Sequence, residues 1–124
     1  MDIGSTSEHL EQSFVVKYCD IKKIPIFAIP NGTNIPSHKG RAKAKKEGLK
    51  KGVPDLFIPV PKNGFNGLFI EMKKPKCLKS KAGTVSKEQR EWLNLLSLNG
   101  YKSVVCVGSD VAIGVIDEYF RCDD

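Results

Sequence analysis

No apolar run in the 124 residues approaches the length of a membrane span, and the opening MDIGSTSEHLEQ lacks the charged-then-apolar pattern of a secretory leader. A cytoplasmic protein without membrane attachment is expected. The four cysteines, Cys19, Cys77, Cys106 and Cys122, form no CxxC pair, and His9 and His38 are not spaced with them as zinc ligands would be. The thiols therefore read as reduced, in a reducing compartment. No Ser, Cys or His stands in an activating context, which argues against a covalent intermediate, and no organic cofactor is expected. Repeats and low-complexity linkers are also missing. A single domain over residues 1–124 is expected, within the size range of one hydrophobic core.

What is present is an ordinary globular composition, 40% apolar and 27% charged, with an uneven distribution of its +6 net charge. Residues 39–51, KGRAKAKKEGLKK, hold seven basic residues against one acid, Glu47. Residues 73–83, KKPKCLKSKAG, hold no acid at all. One such run is by default a solvated face. Two runs bracketing the hairpin that holds Asp55 and Glu71 favour a polyanionic partner, nucleic acid foremost. Histidine His38, at the start of the first basic run, reads as solvated, as does His9.

Hydrophobic spacing gives an element order α-β-α-β-β-α-β-α, a mixed α/β arrangement with helices on both faces of a central sheet. A helix is expected from Ser5 to about Asp20 and a strand from Ile24 to Ile29, ending at Pro30-Asn31-Gly32. A basic helix follows over 38–49, then hairpin strands at about 53–60 and 67–73. A helix beginning at Ser86 carries Trp92 on its apolar face as a core residue and stops at Asn99-Gly100. The strand Tyr101–Val107 and a closing helix, Ser109–Phe120, complete the chain.

The hairpin carries the chemistry. If its strands pair antiparallel with Phe57 facing Phe69, then Asp55 stands opposite Glu71. Alternation places Asp55, Phe57, Phe69, Glu71 and Lys73 on one face and sends Leu56, Ile58, Leu68, Ile70 and Met72 into the core. Two close carboxylates repel, and one ordinarily takes up a proton. A divalent cation removes the conflict, and Mg²⁺, which accepts one or two carboxylates and keeps several waters, suits the arrangement. The alternative is a cross-strand ion pair of Asp55 or Glu71 with Lys73 and no metal.

Pro54-Asp55, Glu71-x-Lys73 and Gln89 resemble the pattern of the PD-(D/E)xK nuclease superfamily. The ordered series PNG, EGLKKGVPDLFIP, GLFIEMKKP and GTVSKEQREWLNLLSLNGYKSVVCVG is similar, more narrowly, to the VRR-NUC domain, from about Glu8 to Tyr119. The resemblance implies a restriction-endonuclease-like α/β core: a mixed central sheet flanked by helices. It implies Asp55 and Glu71 as metal ligands, with the Met72 backbone carbonyl as a third and Glu8 as a helix-borne acid near the metal. Lys73 would polarise the attacking water, Gln89 would orient the water or the metal site, and Asn31 would sit in a turn beside it. Lys43, Lys45, Lys46, Lys50 and Lys51 of the basic helix would contact DNA. Mg²⁺, replaceable by Mn²⁺, would be the cofactor.

Stand-alone members of this family known from phages cut branched DNA, including Holliday junctions, as homodimers. That implies a structure-selective DNA endonuclease in the host-cell cytoplasm. Candidate dimer surfaces are the Tyr101–Val107 strand edge, the last helix with Val115, Tyr119 and Phe120, and the first helix. A rival reading is a non-catalytic module that only binds DNA structures; a pure binder needs the lysines but not carboxylates beside phosphate. A phosphatase of small substrates is less consistent with two basic stretches. Two assignments carry a structural alternative, since Ser86-Lys87-Glu88-Gln89 and Ser5-Thr6-Ser7-Glu8 both have the form of a capping box. Glu11, one turn from Glu8, competes for its role. Asn31 has a plain reading as a turn residue, and Phe65, a single aromatic in the hairpin loop, is a candidate for stacking on a base.

Overall fold

The computed structural model describes residues 7–30, 35–76 and 83–121. Its elements are α1 (Glu8–Lys22), β1 (Phe27–Ala28), α2 (His38–Lys46), β2 (Leu56–Ile58), β3 (Leu68–Lys73), α3 (Lys87–Leu98), β4 (Lys102–Val107) and α4 (Ser109–Phe120). This is the order expected from the sequence. The strands form one sheet, β1-β2-β3-β4, antiparallel except for the parallel β3/β4 pair.

The hairpin register is the expected one, with Phe57 opposite Phe69. Leu56, Ile58, Leu68, Ile70 and Met72 accordingly lose all solvent contact, joining Val15 and Cys19 of α1 and Ala112, Ile116 and Tyr119 of α4 in one core. Burying each large aliphatic side chain there contributes about 1.5–3 kcal/mol. Helices α1 and α4 therefore cover this face. The opposite face bears Phe57, Phe69 and Glu71, and α3 packs on it: Ser103, beside Phe69 in the β3/β4 ladder, donates from its hydroxyl to the Leu93 carbonyl at 2.6 Å.

Several boundaries differ from expectation, each for an identifiable reason. Helix α1 starts at Glu8 because Ser7 is the N-cap, its hydroxyl accepting from the Leu10 N–H at 3.1 Å. Strand β2 is shorter than 53–60 because Pro59 and Pro61 offer no N–H and because Asp55 leaves the ladder to use its side chain instead. Strand β1 shrinks to two residues at the sheet edge, after Pro25. The second face is only partly covered: α3 lies over the β4 side, and Phe27 on β1 remains 52% exposed. Phe27, Phe57, Phe69 and Tyr101 pack there ring against ring, with Phe57 and Phe69 stacked at 4.2 Å. Trp92 is half-buried rather than core, since no residue of α3 is fully buried. Cys19 and Cys106 are free thiols, buried, and burial pushes both up to about 11.

Candidate active site

Asp55 is fixed at the end of β2 by both of its acceptor groups. Its backbone carbonyl accepts from the Ile29 N–H at 2.8 Å, and its carboxylate accepts from the Met72 N–H at 2.8 Å. The carboxylate thus stands where a continuing strand would have offered a carbonyl. Within a strand a residue's N–H and C=O point to the same side, so the Met72 carbonyl also faces the Asp55 side.

Among the described residues Glu71 is the buried acid, with 1% of its surface exposed. Its Oε2 lies 3.6 Å from Lys73 Nζ and accepts from Gln89 Nε2 at 3.1 Å. Its Oε1 is buried with no hydrogen-bond partner. Burial first, and the neighbouring Asp55 carboxylate second, push the Glu71 carboxyl up to about 8, with Lys73 pulling the other way. Lys73 is itself 6% exposed, and its aliphatic stem is backed by Gly83, where a Cβ would stand 3.1 Å from Lys73 Cδ.

Glu8 completes the cluster. One carboxylate oxygen from each of Glu8, Asp55 and Glu71 lies within 4.8 Å of the other two. Because Ser7 rather than Ser5 caps α1, Glu8 occupies the first helical position, not the capping-box position the sequence allowed. Glu11 does a different job. Its Oε1 accepts from the Ser109 N–H at 2.8 Å and the Ser109 hydroxyl at 3.2 Å, capping α4, whose own N-cap, Gly108, has no side chain to do so. Sequence reading missed this role because the partners are far apart in the chain. A helix starting on glycine was the available hint.

Gln89 serves the helix cap and also reaches the acidic cluster. Ser86 and Gln89 form the capping box, with Gln89 Oε1 accepting from the Ser86 N–H at 2.9 Å. The amide's other end, Nε2, is the donor to Glu71. One side chain therefore ties the start of α3 to the buried acid.

A buried acceptor without a donor costs free energy. The Glu71 Oε1 position, flanked by two more carboxylates, is a site that a hard cation fits, since the donors are all oxygens. A plain ion pair with Lys73 leaves that oxygen without a partner; a proton shared with the Asp55 carboxylate or a bound cation each satisfies it. The described part of the chain offers no other group of three or more His, Cys, Asp or Glu side chains arranged in this way.

Residues 6–110 match the family model of the VRR-NUC domain. The chain belongs to the VRR-NUC family. A solved structure described as "VRR_NUC domain protein" matches it with a TM-score of 0.78 at 29% identity, covering 98% of this chain and 94% of that one. No curated protein matches. VRR-NUC domains are nuclease domains, so the fold and the nuclease class are those the sequence motifs implied.

The remaining residues singled out from the VRR-NUC motifs fall at different distances from the acidic cluster. Asn31 lies outside the described residues. Lys43, Lys45, Lys46, Lys50 and Lys51 are all exposed, on α2 or just after it. Helix α2 lies in the connection between Ala28 and Leu56, which are paired, so that connection leaves and re-enters the sheet at the end that carries Asp55. Lys51 forms an ion pair with Glu88 at 3.3 Å. Arg41 is turned inward on its own segment, donating to the Ile35 carbonyl at 2.9 Å. Phe65 sits at the opposite end of the hairpin, under Lys102 at 5.4 Å, and does not reach the carboxylates. No described helix is long and apolar enough to cross a membrane.

Proposed function

We propose that this VRR-NUC chain is a Mg²⁺-dependent endonuclease that hydrolyses DNA phosphodiesters, selective for branched structures such as the Holliday junction, and that Mn²⁺ substitutes for Mg²⁺. The observation that carries this reading is the buried, unpartnered Glu71 Oε1 within a three-carboxylate cluster beside a nearly buried lysine. Asp55 and Glu71 would hold the ion, with the Met72 carbonyl and Glu8 as further oxygen donors. A bound divalent cation supplies polarisation of the scissile phosphate and a water of lowered pKa.

The chain's own residues supply the rest. Lys73 sits 3.6 Å from Glu71 Oε2 and places positive charge where the phosphorane carries more negative charge than the ground state. Its low exposure strengthens that interaction by keeping water away. Gln89 occupies Glu71 Oε2 and so leaves Oε1 as the free donor. Lys43, Lys45, Lys46, Lys50 and Lys51 would neutralise backbone phosphates, with Asn31 preceding them in the sequence, and they read no base sequence.

The deciding experiment incubates labelled four-way junction, flap, duplex and single-stranded DNA with the protein, with and without Mg²⁺ or Mn²⁺. Asp55→Asn and Glu71→Gln should each abolish metal-supported cleavage while DNA binding persists. Lys73→Ala should remain folded and lose about two to three orders of magnitude in rate. Unchanged Mg²⁺ affinity by calorimetry in both carboxylate variants would remove this site from consideration. Junction binding without cleavage under every metal condition would instead favour a DNA-structure-binding module.

A further inference from the structure

Gly52 lies between α2 and β2, three residues before Asp55, and is buried. Its φ is +90°, and a Cβ there would stand 2.7 Å from the Glu88 carbonyl carbon, 2.8 Å from Glu88 Cβ and 2.9 Å from the Gln89 nitrogen. These are distances real Cβ atoms do not sustain, and the obstructing atoms include backbone of the first turn of α3. That turn therefore rests directly on the bare Cα of Gly52. The adjoining residues fasten the same contact from outside, through the 3.3 Å ion pair of Lys51 with Glu88.

The consequence reaches Glu71 through Gln89. The Gln89 amide is held at both ends, to the Ser86 N–H at 2.9 Å and to Glu71 Oε2 at 3.1 Å, so it cannot follow a shift of the helix start and keep both bonds. Hydrogen bonds of this kind weaken steeply once stretched beyond their usual range. We propose that Gly52 is a positioning residue: its missing side chain lets α3 begin close enough for Gln89 to hold the Glu71 carboxylate, with the Lys51–Glu88 pair as a second fastening. The effect on cleavage rests on the nuclease reading above; the effect on Gln89 does not.

Positive φ alone makes any substitution at Gly52 strained, and the chain carries its own control for that. Gly48, in the same connection, has φ +101° and nothing within 4 Å of a Cβ. Gly48→Ala therefore introduces similar backbone strain without the collision. The first measurement is exchange of the Gln89 side-chain amide protons by NMR, assigned by their loss in Gln89→Ala. Gly52→Ala should speed that exchange by about tenfold, the equivalent of one lost hydrogen bond, and Gly48→Ala should leave it as in the parent.

The second measurement is a double-mutant cycle on cleavage. Gly52→Ala should lower kcat about as much as Gln89→Ala at unchanged KM, and the double variant should fall no further. Additive losses, or equal effects of Gly48→Ala and Gly52→Ala on Gln89 exchange, would overturn the proposal. If Gly52→Ala does not fold, Glu88→Arg sets like charges against Lys51, and adding Lys51→Glu reverses the pair. Faster Gln89 exchange in the first and its recovery in the second support the positioning role; unchanged exchange in both overturns it. A parent protein that cuts no DNA would sink the nuclease reading, while the exchange data would still decide the role of Gly52.

Discussion

Glu71 concentrates the chemistry of the molecule in one side chain. Burial and Asp55 push its carboxyl up to about 8, against an ordinary value of 4.5. Between those values the folded, metal-free protein binds a proton that the unfolded chain has lost. The stability this confers is complete at acid pH and is lost as pH rises toward about 8, at up to about 1.4 kcal/mol per pH unit. Glu71→Gln should flatten that slope, and saturating Mg²⁺ should do the same in the parent, because an ion takes the place of the proton. Denaturant midpoints measured from about pH 5 to about pH 9 test both statements. Equal slopes in parent and variant, without metal, would mean that Glu71 is ionised throughout.

At the scale of elements, α1 separates two acids one turn apart. Glu8 faces the carboxylate cluster, and Glu11 caps α4. Glu11→Ala should therefore cost stability, about 1–2 kcal/mol as for other lost N-caps, with cleavage by the remaining folded protein preserved. Glu8→Gln should do the reverse, lowering cleavage and Mg²⁺ affinity with little change in the melting temperature. The opposite pairing of effects would exchange their roles. Helix α2 makes a different kind of statement, because none of its residues is buried and only its charge is left to explain its composition. Replacing Lys43, Lys45, Lys46 and Lys50 by alanine should weaken binding to all DNA sequences alike. Each lost phosphate contact should flatten the log–log salt dependence by about one unit. A slope unchanged by all four replacements would reduce α2 to a solvated face.

At the scale of the whole molecule, symmetric cutting of a four-way junction needs two active sites, which a two-fold dimer of this chain would supply. Of the surfaces considered from sequence, the C-terminal turn of the last helix is spent on the core, where Tyr119 is 2% exposed and Phe120 packs against the same cluster, whereas the first turn of that helix leaves Val111 open. Strand β4 is at the edge of the sheet, and around its end Leu10, Phe14, Val107 and Val111 are each between 42% and 49% exposed. They neighbour Glu11 and Ser109 in the chain, whose contact joins the two helices there, which makes that region the better interface candidate. Light scattering at micromolar concentration should find a dimer, and Phe14→Glu with Val111→Glu should yield monomers that nick one strand. A parent protein that stays monomeric with and without junction DNA, yet cuts both strands, would leave sequential nicking as the explanation.

The alternation of Leu56, Phe57 and Ile58 against Leu68, Phe69 and Ile70 excluded a hairpin register slipped by one residue, which would have exposed every aliphatic side chain of the pair, and the pairing of Phe57 with Phe69 supposed from it is the one the structure adopts. The element order followed from apolar spacing and turn residues, and the acidic pair followed from the register. Other features depended on groups that meet only in the folded chain. The capping-box pattern of Ser86 and Gln89 was local and legible, but the second hydrogen bond of Gln89 required α3 to lie over Glu71. Glu8 and Glu11 are chemically identical on the same helix, and only the placement of α4 assigns one to Ser109 and leaves the other to the carboxylates. The extent of burial of Glu71, which raises its pKa and orphans Oε1, likewise depends on everything packed around β3. Sequence patterning records which face of an element is apolar; the free energy of a charged group depends on distances to neighbours that are remote in the chain, and those exist only once the sheet and its helices have packed.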